Sequence, residues 1–386
     1  MDLTLTDEQV ALTEELHRVA ERQIRPAARA CEEAGEVSAG IRSALAGLGI
    51  ASVPEEFGGE GVLDTVAGVL AVEELAWGDP GIAYDIASSM AASWLIGRVG
   101  TPAQQADLLP SLATPGAAGS AVALAVAERE AGAGVFNLET TVEELGDRVA
   151  LTGRKYAVAG LGTAGTVLVA AGSPMPILWA VPTQAIPDGG ASREGKLGLR
   201  SAATWGLRLD GVAVEPTSRL GGPEADAARV LLATKLLTAA ISVGLARAAV
   251  EYATGYARER TAFGRPIGAF QGVSFLIAER AIGVDAARLL VWESASAADA
   301  GASTAELAPM VMAACGQAVA AAAGASDDAV QVLGGHGYMR DHPVELWYRD
   351  AMTLATLDAA WLTGDLYLGS RVAGSLAAGQ PPGTTP

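Results

Sequence analysis

Cysteine and histidine are scarce in this sequence of 386 residues. Two cysteines, Cys31 and Cys315, lie far apart and without metal-ligand spacing, so we expect isolated buried thiols and no disulfide framework. Three histidines, His17, His336 and His342, form no ligand cluster in the sequence. We therefore predict no metal site.

Positive charge is also in short supply. The chain has 26 Lys and Arg against 44 Asp and Glu, a net charge of −18. Such a surface repels nucleic acid phosphates, which argues against a DNA or RNA partner. An anionic small molecule would need Arg or Lys clustered at one place.

Long uninterrupted hydrophobic runs are missing, although half of the residues are hydrophobic. No window reaches the roughly 20 apolar residues of a membrane span without a charge or a glycine. The start, "MDLTLTDEQV", has no basic region followed by an apolar core. We expect no membrane span, no signal peptide and a cytoplasmic location.

The beginning of the chain has a helical pattern. Thr6 is a candidate N-cap, and Pro26 should kink or punctuate the helix that follows it. The segment "TVAGVLAVEELAW" predicts another helix before "GDPG". Apolar residues recur at helical spacing after Thr6, namely Val10, Leu12, Leu16, Val19 and Ile24.

Short apolar runs separated by Gly, Pro and Asp begin near residue 115 and predict strands. Within them "GDRVALTGRKYAV" suggests two strands joined by a tight turn. From Asp226 to about Leu376, long Ala- and Leu-rich segments predict four or five helices of a bundle. The predicted division is an N-terminal helical domain (1–116), a middle β domain (117–225), a C-terminal helical bundle (226–376) and a disordered Pro/Gly tail (377–386).

Three motifs carry a family resemblance. "RTAFGRPIGAFQ" (260–271) and "QVLGGHGYMRDHPVELWYRDA" (331–351) resemble the two signature segments of the acyl-CoA dehydrogenase family, and "SVPEEFGGEGV" (52–62) resembles its N-terminal landmark. The resemblance extends over nearly the whole chain. It implies an α+β fold with an N-terminal helical domain, a middle β-barrel-like domain and a C-terminal four-helix bundle. It also implies FAD bound between subunits and the α,β-dehydrogenation of an acyl-CoA thioester.

In the family, the adenosine diphosphate end of FAD is held by the neighbouring subunit. Arginine can pair a diphosphate through charge-assisted bonds, and paired glycines let the backbone approach it. The alternative is that the arginine is a surface charge and that the glycines only end a helix. The residues that match the family positions are Arg260, Phe263, Gln271, Gln331, Gly334 and Gly335.

The residues that would hold the flavin ring depart from the family pattern. The family's "TEPGAGSD" loop aligns with "AEREAGAG" (127–134), and its "WIT" strand aligns with "AVA", in which Trp is Ala157 and Thr is Ala159. Only Glu128, Ala131 and Gly132 persist in the first segment. Each lost hydroxyl bond is worth about 0.5 to 1.5 kcal/mol net. Two such losses, together with the Trp, predict an eroded ring site.

The catalytic base is also in doubt. One family position for a glutamate falls on Thr234, followed by Lys235, and the other falls on Asp358 in "LDAAW". Aspartate is one methylene shorter than glutamate, and misplacement of about an ångström can cost about a hundredfold in rate. With the family's Gly-Thr replaced by Ala359-Ala360, the segment could continue as helix, with Leu354, Leu357 and Trp361 on one apolar face. Asp358 would then be either a helix-borne solvated carboxylate or a working base.

Four hypotheses follow. The first is a subunit of a heteromeric α2β2 acyl-CoA dehydrogenase, as in some actinobacterial members that act on steroid side-chain thioesters, which completes the FAD site of a partner that supplies the base. The second is a homotetramer that uses Asp358. The third is a relative with flavin oxygenase or carrier-bound acyl oxidase chemistry, and the fourth is a purely structural protein. Electron-transfer flavoprotein or another acceptor would reoxidise the flavin, and the acyl group cannot be read from the sequence.

Overall fold

The computed structural model describes residues 4–113, 121–129, 136, 138–172, 175–222, 225–357 and 360–377. The predicted order is confirmed, because a group of helices is followed by two packed sheets and then by long helices. The exact domain boundaries stay predictions. The tail predicted to be disordered lies, from residue 378 onward, outside the described residues.

Six α-helices lie within the described residues 4–113 of the N-terminal part. They are α1 (Asp7–Val19), α2 (Arg25–Ala34), α3 (Ala39–Ala46), α4 (Thr65–Gly78), α5 (Pro80–Val99) and α6 (Pro102–Ala113). The Thr6 side chain accepts a bond from the Gln9 N–H while the Gln9 side chain accepts one from the Thr6 N–H, so the predicted cap is a capping box. Pro26 lies in the first turn of α2, and the preceding turn, Ala20–Ile24, is π-helical. The chain therefore changes helical pitch there instead of ending.

As far as the middle part is described, it contains two sheets that face each other. Its strands are β1 (Ala121–Ala125), β2 (Thr141–Leu145), β3 (Arg148–Ala159), β4 (Ala164–Ala171), β5 (Ile177–Pro182), β6 (Ala191–Arg193) and β7 (Thr204–Val214). One sheet has the order β1-β4-β5, with β1 and β4 parallel, and the other is antiparallel with the order β2-β3-β7-β6. Buried residues of both sheets, such as Val167 of β4 and Leu151 of β3, share one core.

The prediction of two strands within "GDRVALTGRKYAV" was wrong. The tight turn lies at Gly146 and Asp147, and the residues after it form the single long strand β3. Gly153, the second glycine of this segment, lies beside Thr140 and not in a turn. A Cβ atom at this position would be 2.3 Å from Thr140 Oγ1, so the glycine permits a close approach within the strand.

Within residues 225–357 and 360–377, five α-helices and a short hairpin form the C-terminal part, in agreement with the predicted four or five helices. They are α7 (Ala227–Glu259), the hairpin strands β8 (Thr261–Ala262) and β9 (Arg265–Pro266), α8 (Gln271–Asp299), α9 (Thr304–Leu333), α10 (Val344–Thr356) and α11 (Ala360–Ala377). Helix α7 packs against α4, α5, α8 and α9. Helices α7 and α9 are apolar and long enough to cross a membrane, but 78% and 56% of their most apolar windows are buried inside the protein. Cys31 and Cys315 are buried thiols, as predicted.

The prediction of a helix running through "DAMTLATLDAAWL" was wrong. Helix α10 ends at Thr356, and Leu357 has an extended backbone with φ −67° and ψ 125°. No glycine or proline marks this end in the sequence, so the surrounding structure overrides the local helix propensity. Leu354 and Trp361 consequently belong to different helices, and Asp358 and Ala359 lie outside the described residues.

Helices α4 and α7 approach each other most closely at Gly244. A Cβ atom at Gly244 would lie 2.2 Å from the carbonyl oxygen of Glu73 and 2.9 Å from the Cβ of Ala76. Beside this contact, Arg247 of α7 donates to Glu73 at 3.1 Å and to Glu74 at 2.7 Å. The absence of a side chain at residue 244 therefore sets the distance between the two helices.

The segment 194–202, which we call the junction loop, joins all three parts of the chain. Its Leu199 N–H donates to Asp350 of α10 at 2.5 Å, and its Ser201 hydroxyl donates to Asp79, between α4 and α5, at 2.7 Å. Both carboxyl groups are buried. Burial raises the pKa of Asp79, and burial together with the nearby charge of Asp79 raises the pKa of Asp350 well above its ordinary value.

We predict that Gly244→Ala lowers the melting temperature by at least about 2 °C, because the new methyl group overlaps the α4 backbone. The matched control is Gly255→Ala on the same helix, where a Cβ atom meets nothing within 4 Å. That control should leave the melting temperature unchanged or raise it, because alanine favours helix. Equal melting temperatures in a calorimetric scan of both variants would contradict the close contact.

A second prediction concerns pH. The raised pKa of Asp350 means that the folded chain binds this proton more tightly than the unfolded chain, so stability is lost as pH rises from about 4 toward the raised value. Asparagine cannot ionise and can still accept from Leu199. The melting temperature of Asp350→Asn minus that of the wild type should therefore increase by at least about 2 °C between pH 4 and pH 8. The exposed Asp327→Asn variant should show no such trend, and a difference that falls with pH would refute the assignment.

Candidate active site and cofactor surface

A cavity of about 110 Å³ lies where α5, β1, β3 and α7 meet. We call it the central pocket. Helix α5 and the strands provide small and aromatic side chains, and α7 provides Thr234 and Lys235. The full described lining is Tyr84, Ala87, Ser88, Ala91, Leu124, Val126, Ala127, Phe136, Tyr156, Ala157, Leu231, Thr234, Lys235, Leu237 and Thr238.

Several hydroxyl groups of the pocket are bonded to the protein's own backbone. Tyr84 donates to the carbonyl of Ala157 at 2.9 Å, Ser88 donates to the carbonyl of Tyr84 at 2.7 Å, and Thr234 donates to the carbonyl of Leu231 at 2.8 Å. The pocket is therefore largely apolar in character. Such a surface suits an acyl chain better than a polar group.

Thr234 and Lys235, one family position for the base, both lie in the pocket wall. Both residues thus face the cavity, yet neither is a carboxylate. The Lys235 ammonium lies 6.0 Å from the centre of the Phe136 ring. No acidic residue occurs in the described part of the lining, and the other candidate base, Asp358, lies outside the described residues.

Glu128, which persists from the family's flavin loop, forms a buried ion pair with Lys155 of β3. Thr140 also donates to its carboxylate, and Lys155 donates to the carbonyl of Val126 at 3.2 Å. Burial alone would raise the pKa of Glu128, but the bonds from Lys155 and Thr140 outweigh it and hold the pKa below its usual range. Glu128 therefore anchors the loop. Lys155 was missed from the sequence, where its one signal is a lysine inside an apolar strand.

The aligned ring-contact residues offer little to a flavin ring. Ala159 is buried within β3, opposite Thr204 of β7. The carbonyl of Ala127 accepts from the Tyr156 N–H at 3.0 Å, and both backbone polar groups of Ala157 are bonded to side chains of the chain itself. These described residues do not fit the ring edge in the way the family pattern implies, and we derive no chemical step from them.

The predicted cofactor residues lie elsewhere, at the distal end of α7. Arg260 follows the last residue of α7 and is exposed. The next residues form the β8–β9 hairpin, whose two-residue turn is Phe263 (φ 52°) and Gly264 (φ 81°). This turn leaves the Phe263 side chain 96% exposed. Gln271, also exposed, begins α8.

The second signature segment lies beside the first. Gln331, Gly334 and Gly335 are exposed at the end of α9, and Gly334 has φ 59° and ψ −131°, which a side chain would disfavour. Nδ1 of His336 is 2.8 Å from the hydroxyl of Tyr256, one turn before Arg260. The structure thus brings the two segments together. We call their predicted cofactor residues the cofactor surface, namely Arg260, Phe263, Gln271, Gln331, Gly334 and Gly335.

These residues fit the diphosphate end of FAD. Within the described ranges, no hydrogen bond or ion pair joins the side chains of Arg260, Gln271 and Gln331 to another residue. A Cβ atom at Gly334 or Gly335 would meet nothing within 4 Å, so the backbone there is open. Exposed planar donors around open backbone suit an anionic phosphate group. No group of three His, Cys, Asp or Glu that could hold a metal occurs among the residues searched.

Family models match the two helical parts of the chain. The model for "Acyl-CoA dehydrogenase, N-terminal domain" matches residues 6–115, and the model for "Acyl-CoA dehydrogenase, C-terminal domain" matches residues 225–358. A probable acyl-CoA dehydrogenase of Bacillus subtilis, YngJ, is 32% identical over 91% of this chain and 94% of its own length. Glutaryl-CoA dehydrogenase of Desulfococcus multivorans is 33% identical over 78% of this chain and 79% of its own length.

Solved structures show the same similarity. The complex of a glutaryl-coenzyme A dehydrogenase with glutaryl-CoA superposes with a TM-score of 0.83 at 28% identity, covering 100% of this chain and 99% of that one. Butyryl-CoA dehydrogenase of Megasphaera elsdenii gives a TM-score of 0.82 at 26% identity over 97% of this chain and 100% of that one. PigA with FAD and proline, at 20% identity and a TM-score of 0.82, shares the fold.

Proposed function

This chain belongs to the acyl-CoA dehydrogenase family, and from that premise we propose that it completes the FAD site of a second family member in a hetero-oligomer. It is an oxidoreductase that acts on acyl-CoA, and its family uses FAD. The proposal concerns the division of labour between subunits. A cytoplasmic location and reoxidation by electron-transfer flavoprotein or another acceptor belong to the same proposal.

One observation carries it, namely the contrast between the two ends of the cofactor site. Arg260, Gln271 and Gln331 are exposed and have no side-chain partner within the described residues. At the ring end, Ala157 and Ala159 lack the family's side chains, and the polar backbone of Ala157 is already bonded. The chain therefore keeps what would serve a neighbour's FAD and lacks much of what would hold its own.

The length of α7 supports the same division. Lys235 lies in the central pocket, and Arg260 lies at the cofactor surface. Arg260 follows Lys235 by 25 residues along α7, which corresponds to about 38 Å at 1.5 Å per residue. One FAD molecule does not extend that far. A cofactor whose diphosphate lies at Arg260 would therefore place its ring in a pocket other than this chain's own.

An exposed apolar stripe on α8 favours an assembly. Phe275, Ile282 and Leu289, which we call the α8 stripe, are 60%, 70% and 48% exposed and recur every seven residues. Residues seven apart lie on the same side of a helix. Phe263 of the cofactor surface and Tyr338 of the second signature segment are also exposed. A neighbouring subunit would remove these side chains from water.

In the proposed assembly this chain binds and positions. Arg260 would pair with the diphosphate, Gln271 and Gln331 would donate to the same end of the cofactor, and Gly334 and Gly335 would admit it to the backbone. FAD, when bound, accepts the β hydrogen of the acyl thioester as hydride. A carboxylate of the partner subunit would take the α proton.

A second candidate is the homotetramer in which Asp358 is the base. The end of α10 favours it, because Leu357 has an extended backbone and the helix does not continue past Thr356. A residue beyond the end of a helix is not fixed by the geometry of that helix. The absence of an acidic residue from the described pocket lining is compatible with both candidates.

We predict that Arg260→Ala weakens binding of ADP by at least about tenfold, because a charge-assisted bond contributes about 1.5–3 kcal/mol. The measurement is calorimetric titration of ADP into the chain in its purified assembly. Arg258→Ala is the matched control, because Arg258 is exposed in the last turn of the same helix. Equal ADP affinity in both variants would refute the cofactor surface.

The Asp358→Asn variant distinguishes the two candidate functions. If a partner supplies the base, acyl-CoA oxidation by the assembled complex should change less than threefold. If Asp358 is the base, the rate should fall by at least about a hundredfold. A loss of that size, with FAD and acyl-CoA still bound, would decide for the homotetramer.

A further inference from the structure

Ala157 has a backbone conformation that a residue with a side chain rarely adopts. Its φ of 55° is positive, as is that of three other described non-glycine residues, Ser52, Leu199 and Phe263. The left-handed region carries a conformational penalty for any residue with a Cβ atom and persists only where the surroundings enforce it. Ala157 also lines the central pocket, so its conformation shapes the pocket wall.

A β-bulge produces this conformation. Lys155 pairs with Leu207 and Val158 pairs with Trp205, so that Tyr156 and Ala157 together lie opposite the single residue between those partners. Two residues opposite one bend the strand and redirect its side chains. The bulge aims both residues into the central pocket, whose lining includes them.

Two side chains from different parts of the fold hold the bulge. The Ala157 N–H lies 3.2 Å from each carboxylate oxygen of Glu194, and the Thr204 hydroxyl donates to the same carboxylate at 2.8 Å. On the other side, Tyr84 of α5 donates to the Ala157 carbonyl at 2.9 Å. The peptide groups on both sides of the strained residue are thus fixed.

The junction loop that begins with Glu194 is itself rigidly supported. Besides the bonds to Asp350 and Asp79, the Gly198 N–H donates to the Thr353 hydroxyl at 2.9 Å. A Cβ atom at Gly198 would lie 2.2 Å from the carbonyl oxygen of Arg349, so the loop lies directly on the α10 backbone. Glu194 therefore extends from a support that contacts both helical parts.

We propose that Glu194 is a positioning residue for the central pocket, where its carboxylate keeps Ala157 left-handed and so sets the wall against which the acyl thioester binds. This rests on the proposed acyl-CoA function. Glu194 touches no substrate in this account and acts only through the Ala157 peptide. Without the bond from the Ala157 N–H to the Glu194 carboxylate, Ala157 relaxes toward negative φ and the pocket wall moves.

The test uses the full chain in its purified assembly and four variants: Glu194→Gln, Ala157→Gly, the double variant, and Glu144→Gln as an exposed control. Straight, branched and cyclic acyl-CoA thioesters are titrated, and the tightest ligand of the wild type is kept. Glu194→Gln should weaken the binding of this ligand about tenfold. The Ala157 N–H and the Thr204 hydroxyl both donate to the carboxylate, and in the variant one of them faces an amide NH2 group.

Rescue distinguishes positioning from general damage. Glycine accepts positive φ without penalty, so Ala157→Gly should restore binding in the Glu194→Gln background to within about threefold of the wild type. Unchanged affinity in Glu194→Gln, or no rescue by glycine, would overturn the proposal. If the wild type binds no acyl-CoA at all, the proposed function fails instead. The melting temperatures of the same variants then test the positioning role. That role predicts that Glu194→Gln lowers the melting temperature less when residue 157 is glycine than when it is alanine.

Discussion

The burial of α7 is the constraint on which the rest of the structure depends. This helix packs against α4, α5, α8 and α9, and its contact with α4 is so close that residue 244 has room only for glycine. Its first third forms a wall of the central pocket, and its end presents Arg260. Because both places lie along one helix, its length sets their separation. The chain therefore cannot bring its own cofactor surface to its own pocket without dismantling its core.

This separation explains how two sets of residues can change independently. In our proposal the cofactor surface serves a pocket that a neighbouring subunit brings to it, so Gln331, Gly334 and Gly335 can match the family while Ala157 and Ala159 depart from it. The pocket wall has its own internal support instead, in which Glu128 pairs with Lys155 and Glu194 holds the Ala157 peptide. The middle sheets thus remain ordered around residues that no longer match the ring-binding pattern. In our proposal, assembly with a second subunit unites the two sites.

Much of this fold could be predicted from the sequence because it depends on local chemistry. Helical spacing and the Thr6 cap indicated α1, and Ala- and Leu-rich segments indicated the C-terminal helices. The errors occurred where distant residues decide. Gly153 lies inside a strand, where it allows Thr140 to approach. Leu357 caps the end of α10, although the residues around it in sequence favour a continuing helix. The left-handed Ala157 and the Glu128–Lys155 pair depend on partners that no spacing along the chain reveals.

The division of labour is tested most directly by flavin content. The chain expressed alone and the chain co-expressed with a second acyl-CoA dehydrogenase subunit are purified, and FAD per polypeptide is determined from flavin absorbance after denaturation. The account predicts little FAD in the lone chain and one FAD per heterodimer in the complex. A full equivalent of FAD in the lone chain, together with acyl-CoA oxidation, would contradict it.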